Sequence, residues 1–466
     1  TTIILARFEG PCYFNSAKNT LRATRWASHT YGVSMKFPGR RDKKHYFPVT
    51  EKGRSDITEP KLLSRDVYVV GIDQLLVDIE IEVDDSFLEK YDFPKGQSFL
   101  IDDDTAEEVY QWARDNRKIR GEFPGGAVGN TLHNFAVLSD ANCYALGAIK
   151  RQIEVGDYAF KYLSKTSGLV DMSYLQPSEK PMGRALCFIT PDYERTFAIS
   201  KGCMDDLTEE YIPEKVIQKS CALLLSAYTL RGQEDAIYKA TVKACEVAKE
   251  HGVPVVLSLG TSSLVEEKLE FLKEFSKKHA TCLAMNQEEA MAFTGIEDPL
   301  LALDQILETV DMCLLTAGSR GLYVGAYCDK KNLRATKDPL VTKSIVNYNA
   351  FEYSRSMRKS ACAEPVKIYT HVNPFKGGPV AIKNTNGAGD AALSALLHDI
   401  TANQYHKDMI PNSPKHDDSY LTYSSISQIS KYANRVSFEV LIQSSPRLLK
   451  GLPEKEDSLE EAHWSN

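Results

Sequence analysis

The sequence predicts an α/β fold of three layers, a mainly parallel sheet covered by helices on both faces, with a small β-sheet lid attached. Three observations predict it. From about residue 215, short continuous apolar runs alternate with amphipathic helical stretches, the pattern of parallel strands buried on both sides. Before that point, strand-like segments alternate apolar and charged residues, as half-exposed strands do. Two glycine clusters, at 125–129 and 387–389, each stand just ahead of a helical run, where backbone N–H groups are open to an anion.

The elements follow in order. Residues 67–70 form a strand that opens into Gly71, and 78–83 (DIEIEV) alternates strictly. Residues 185–189 and 195–199 flank a turn at Pro191 and Asp192 and read as a hairpin. The lid strands are therefore drawn mainly from about 76–124 and 183–200. In the core, 221–227, 253–259, 281–285 and 311–316 are strands. The stretches 234–251, 264–279 and 287–293 between them are helices. A sheet of this kind collects ligands at the carboxyl ends of its strands. Residues 328–376, rich in Lys, Arg, Asn and Ser with weak periodicity, read as an insertion without an assigned role.

Composition excludes several classes. The chain has 466 residues, 56 Lys and Arg against 63 Asp and Glu, and a net charge of −7. That balance argues against a broad basic face for nucleic acid. No apolar run approaches the roughly 20 residues that span a bilayer, so no membrane partner is expected. Ten cysteines without Cys-x-x-Cys spacing argue against a disulfide framework or zinc knuckle and read as buried thiols of a cytoplasmic protein. Residues 1–34 carry four basic side chains and one acid, ahead of the first methionine at Met35. They read as a non-native or upstream extension rather than a transit peptide, with the main domain at 35–466.

The segment Asn384-Thr385-Asn386-Gly387-Ala388-Gly389-Asp390 opens a helical run from 391 to 400. A carboxylate directly after the second glycine would repel a resting pyrophosphate. It makes sense as a base that takes a proton from an attacking hydroxyl while the cradle stabilises a transferring phosphoryl group. Its bland counterpart is a first-turn acid favoured by the helix dipole. Asn286 and Glu289 sit three residues apart after a strand, where they could orient a hydrated Mg²⁺ or merely start a helix. The stretch 316–321 (TAGSRG) joins two strands as a phosphate loop or a plain hairpin. There is no Walker A sequence.

These four segments, GGAVGN at 125–130, Asn286 with Glu289, Thr316 with Gly318, and NTNGAGD at 384–390, stand in the order and spacing of one family. The sequence resembles the ribokinase-like (PfkB) carbohydrate and nucleoside kinases from Met35 to about Glu461. The resemblance implies ATP and Mg²⁺ and transfer to the ribose 5′-OH of a purine nucleoside, inosine or guanosine, giving IMP and GMP. By the same resemblance Asp390 is the catalytic base, and Gly387, Ala388 and Gly389 form the anion hole. Asn286 and Glu289 position the metal. Thr316, Gly318 and Gly321 hold the nucleotide phosphates, and Asn434 lies where the adenine is contacted. Asp78 grips the ribose hydroxyls, with Gln74, Gly125, Gly126 and Asn130 completing that pocket.

Two departures stand out. Asn384 replaces the Asp that usually opens the second signature, which leaves K⁺ dependence open. Gln74 falls where nucleoside kinases often carry Asn. A homodimer is also left open. Competing readings are a sugar or adenosine kinase of the same fold, a silent binding protein and a Rossmann oxidoreductase. The last is disfavoured by the late position of the glycine motif.

Overall fold

Apolar runs become the middle of a large sheet, and alternating runs become a lid above it. A computed structural model describes residues 67–452 apart from 140, 193, 377–380, 417–418 and 450; the expected extension at 1–34 lies outside the described residues. The chain enters the sheet at β1 (Val69–Ile72), every residue of which is buried. It leaves at once for the lid: β2 (Leu76–Glu82), α1 (Asp85–Lys90), β3 (Ser98–Leu100), α2 (Asp103–Asp115) and β4 (Ile119–Pro124). Helix α3 (Ala127–Ser139) returns it to β5 (Cys143–Leu146), beside β1. Then come β6 (Ala148–Lys150), α4 (Tyr158–Ser164), β7 (Val170–Asp171), β8 (Gln176–Ser178) and the hairpin β9 (Gly183–Ile189) to β10 (Arg195–Ser200).

The lid is a five-stranded sheet in the order β3-β10-β9-β2-β4. In β2, Val77, Ile79 and Ile81 are buried with Val109 of α2 and Phe188 of β9. Strand period two then turns Asp78 and Glu80 to the opposite face. Asp78 pairs in register with Ala185 on one side and Phe123 on the other.

The core follows: α5 (Glu214–Gln218), β11 (Ala222–Ser226), α6 (Ala236–Glu250), β12 (Val255–Ser258), α7 (Ser262–Glu267), α8 (Leu269–His279), β13 (Cys282–Asn286), α9 (Gln287–Thr294), α10 (Pro299–Ile306) and β14 (Met312–Thr316). The stretch 264–279 is thus two helices, interrupted at Lys268. Strands β5, β1, β11, β12, β13 and β14 are parallel neighbours. Leu223 and Leu225 of β11 have no solvent exposure; truncating either to Ala costs roughly 2–5 kcal/mol. One face of the sheet packs on α3, α11 and α12, defined below, and the other on α6, α8, α9 and α10.

Strand β15 (Leu322–Asp329) turns antiparallel to β14. The 328–376 segment is more than an insertion. Its first two residues finish β15, β16 (Arg355–Met357) bridges β15 to a later strand, and β17 (Pro365–Val372) pairs with β15 along its whole length. Short length and mixed polarity hid these strands: β16 is three residues (RSM) and β17 (PVKIYTHV) mixes polar with apolar residues. The chain ends its described course with α11 (Ala388–Met409), β18 (Tyr420–Ser425) and α12 (Ile426–Leu441). Helix α11 packs between α3 and α12. No helix among the described residues is long and apolar enough to cross a membrane. Eight cysteines are buried free thiols, and burial pushes the Cys221 thiol up to about 12.

Candidate active site

The start of α11 faces the lid. Its N-cap is Gly387 at φ 77°, a left-handed conformation in which a side chain is strained. A Cβ there would also collide with the Pro446 carbonyl. No side chain caps the helix, so its first-turn N–H groups keep their partial positive charge for an outside anion. Ser437 of α12 donates to the Ala388 carbonyl at 2.8 Å and fixes this turn. A Cβ on Gly389 would meet nothing within 4 Å, so the space over the helix end is open. Asn384 is buried and fully used: Oδ1 accepts from the Asn386 N–H at 2.9 Å and Nδ2 donates to the Ser444 carbonyl at 3.1 Å. A carboxylate could not make the second bond.

Asp390 stands one turn into α11. Its Oδ2 accepts from Asn130 Nδ2 at 3.1 Å. Burial pushes its carboxyl up to about 7, opposed by the Asn130 bond and the Arg447 charge. Asn130 is buried on α3, and its Oδ1 accepts from Arg447 Nε at 2.8 Å. Across the gap, burial likewise raises Asp78 to about 7, with Arg447 opposing and Glu80 and Asp390 adding. Gly125 lets the backbone run beside that carboxylate: a Cβ there would lie 2.7 Å from Asp78 Oδ2. Gly126 sits in the same way against Asp73. Gln74 does not point at a free pocket; its amide donates to Asp205.

The parallel register sets Asn286 beside Thr316 at the carboxyl ends of β13 and β14. Asn286 and Glu289 form a capping box on α9: Glu289 N–H donates to Asn286 Oδ1 at 2.8 Å, and Asn286 N–H donates to Glu289 Oε2 at 3.1 Å. Both the helix-start and the ligand-facing readings survive this geometry. Glu289 is 4% exposed, its Oε1 accepts from Asn286 Nδ2 at 2.6 Å and no cation pairs with it among the described residues; burial lifts its carboxyl to about 7, with Asp390 and Glu288 adding. A buried carboxylate that wants a positive neighbour suits a cation. No group of three or more His, Cys, Asp or Glu converges among the described residues, so the fit is to an ion that keeps most of its waters, as Mg²⁺ does. The 316–321 stretch is a hairpin turn with Gly318 exposed and Gly321 pressed on the Val372 carbonyl. Asn434 is spent on the wall of the site: Oδ1 accepts from the Phe375 N–H at 3.4 Å and Nδ2 donates to the Asn373 carbonyl.

Three charged residues here were not singled out from the sequence. Asp73, 3% exposed, accepts from the Gly129 N–H at 2.7 Å, and burial raises its carboxyl to about 7. It follows the apolar strand β1 directly, and a carboxylate at the carboxyl end of a buried strand was a readable signal. Arg195, on β10, reaches the signature loop at Asn386. Arg447 lies beyond α12 in a stretch with no motif.

A proton acceptor beside an uncapped helix end, roofed by a lid that brings a second carboxylate, has the parts needed to move a phosphoryl group onto a hydroxyl. The chain is of that class, a phosphotransferase with a hydroxyl acceptor. Residues 117–339 match the pfkB family of carbohydrate kinases. Over 432 residues, 92% of this chain and 100% of the relative, the sequence is 49% identical to the guanosine-inosine kinase of Escherichia coli strain K12. The chain belongs to the pfkB family. Its fold is shared with a probable sugar kinase of Rhizobium etli (TM-score 0.60, 18% identity, 85% of this chain and 97% of that one). It is shared also with an adenosine kinase of Sinorhizobium meliloti (TM-score 0.59, 22% identity, 85% and 98%).

Proposed function

We propose that this protein transfers the γ-phosphoryl group of ATP to the ribose 5′-OH of guanosine and inosine, giving GMP and IMP. The observation that carries the reading is the Asp390 carboxyl, raised to about 7 and held by Asn130 at the open end of α11. A base with that pKa is half ionised near neutral pH, where general-base transfer works best. Asp390 takes the 5′-OH proton as the oxygen bonds to the γ-phosphorus and the bond to the β,γ-bridging oxygen breaks, releasing ADP. The N–H groups of Gly387, Ala388 and Gly389 meet the charge on the moving phosphoryl group.

Asp78 holds the ribose hydroxyls, with Gly125 and Gly126 allowing close approach. Thr316, Gly318 and Gly321 border the triphosphate. Asn434 shapes the adenine wall through residues 373–375. Mg²⁺, oriented by Glu289 and Asn286 through water, supplies positive charge to the polyphosphate when bound.

The test is ADP release with guanosine, inosine, adenosine, ribose and fructose in turn, with the product identified. Turnover on guanosine and inosine to their 5′-monophosphates is expected. Turnover on ribose, fructose or adenosine alone, or on none of the five, overturns the reading.

A further inference from the structure

We propose that Arg447 is a positioning residue for phosphoryl transfer, fixing Asn130 and through it the Asp390 carboxylate. The proposal rests on the nucleoside kinase reading above and assigns part of its machinery to the chain beyond α12.

The guanidinium is 2% exposed. Its Nε donates to Asn130 Oδ1 at 2.8 Å and its Nη1 to Thr166 Oγ1 at 2.7 Å, while its plane lies 5.1 Å from the Tyr162 ring centre. Nη2 is buried with no hydrogen-bond partner among the described residues, 3.0 Å from where a Cβ on Gly129 would stand. Arg has donors and no acceptor, so the Asn130 atom facing it must be the oxygen. The amide nitrogen is then forced to the other side, where it donates to Asp390 Oδ2 at 3.1 Å. With Arg447 gone, the amide is free to flip and present its oxygen to a carboxylate, a repulsive pair.

The charges around the site point the same way. Arg447 opposes the rise of Asp390, Asp78 and Asp73 alike, and it also faces His133 of α3 and Tyr162 of α4. Among the described residues, Asp73, Asp78, Glu289 and Tyr228 also sense Asp390, and none of these four is cationic.

The segment is clamped to both signature regions. Leu448 N–H donates to Asn134 Oδ1 at 2.8 Å, and its carbonyl lies 2.9 Å from His133 Nε2. The Ser444 carbonyl takes the Asn384 amide, and Pro446 abuts Gly387. The strap therefore sets the spacing between α3 and the start of α11.

The test compares the full-length protein with Arg447→Met and Arg447→Lys, each assayed over pH with guanosine and ATP. Wild-type turnover of guanosine checks the nucleoside kinase reading by itself; its absence sinks that reading whatever the variants do. Given wild-type turnover, Arg447→Met is expected to lose about 100-fold in kcat with guanosine KM within about threefold. Its acid limb in kcat should move up by about one pH unit, since the carboxyl loses its cation. Arg447→Lys keeps the charge without the fork, so it should hold the limb in place, melt near wild type and still lose about 10-fold in kcat; it carries the test if Arg447→Met fails to fold. Wild-type kcat in Arg447→Lys, or a loss in Arg447→Met confined to KM with the limb unmoved, overturns the proposal.

Discussion

Arg195 of the lid donates from Nη1 to Asn386 Oδ1 at 3.1 Å, joining residues 191 positions apart, while its Nη2 lies 3.8 Å from Glu80 Oε1. A lid cation thus rests on the loop that leads into the open helix end. Arg195→Met should lower kcat by about 10–100-fold, because a charged donor near developing phosphoryl charge is lost. The melting temperature should stay within about 2 °C, as half-exposed pairs contribute little to stability. Steady-state kinetics beside a thermal melt checks both; an unchanged kcat removes Arg195 from the site.

Replacing Asp390 by Asn keeps the shape of the first turn of α11 and removes the base. The expected loss in kcat is about 10²–10⁴-fold, with guanosine affinity changed little. Isothermal titration with guanosine, run beside the rate assay, separates the two. Near-normal turnover would sink the assignment.

Gly387 and Gly389 lie two positions apart and should respond in opposite ways. Gly387→Ala places a methyl against the Pro446 carbonyl at positive φ, so the protein should lose stability by more than about 1 kcal/mol. Gly389→Ala meets no protein atom and gains helix propensity, so its melt should hold or rise. Its methyl occupies the open space over the helix end, and kcat should fall at least about tenfold. Equal behaviour of the two variants would refute the cradle.

Glu289→Gln can keep the capping-box bond from the Asn286 N–H through its one amide oxygen, giving up the second bond from Asn286 Nδ2. It removes the charge proposed to orient hydrated Mg²⁺. Half-maximal activity should need several-fold more Mg²⁺, with the melting temperature nearly unchanged. A Mg²⁺ titration that superimposes on wild type counts against the metal role.

The carboxyls of the site also set a pH dependence of stability. Asp73, Asp78 and Asp390 are each raised from 3.8 to about 7, chiefly by burial. Between those values the folded protein binds more protons than the unfolded chain. The stability they contribute is full below about pH 4 and is lost as pH rises through about 7. Free of ligands, the protein should melt lower at pH 8 than at pH 6. Asp73→Asn, which keeps an acceptor for the Gly129 N–H, should flatten that slope and raise the melting point at pH 8. A steeper slope in Asp73→Asn would contradict the assignment.

Much of this architecture was readable from residue order. Residues such as Leu223 and Val256 announce central strands because both faces of their strands are buried. Asp78 and Glu80 announce a lid strand because every second neighbour is apolar. The signature glycines mark places where the backbone itself does the binding. Strands β16 and β17 were not readable, since a three-residue RSM run and the mixed PVKIYTHV carry no doubled apolar pattern. Arg447 was not readable either. Nothing near Pro446 and Leu448 in sequence says that this arginine meets Asn130, because the meeting is made by the packing of α3, α11 and α12. Asn286 and Glu289 fit a cap and a metal reading equally well on paper, and the structure forms the cap while leaving the metal role to the Mg²⁺ titration.

The bonds that assemble the site span most of the chain: Asn130 to Asp390 closes 260 positions and Arg447 to Asn130 closes 317. A ribosome that has released everything through Leu441 has delivered every signature motif, yet Asn130 has no guanidinium to orient it and Gly387 has no strap to rest on. Turnover in a cell-free translation reaction would report on finished synthesis, and a chain halted at Leu441 should stay dark.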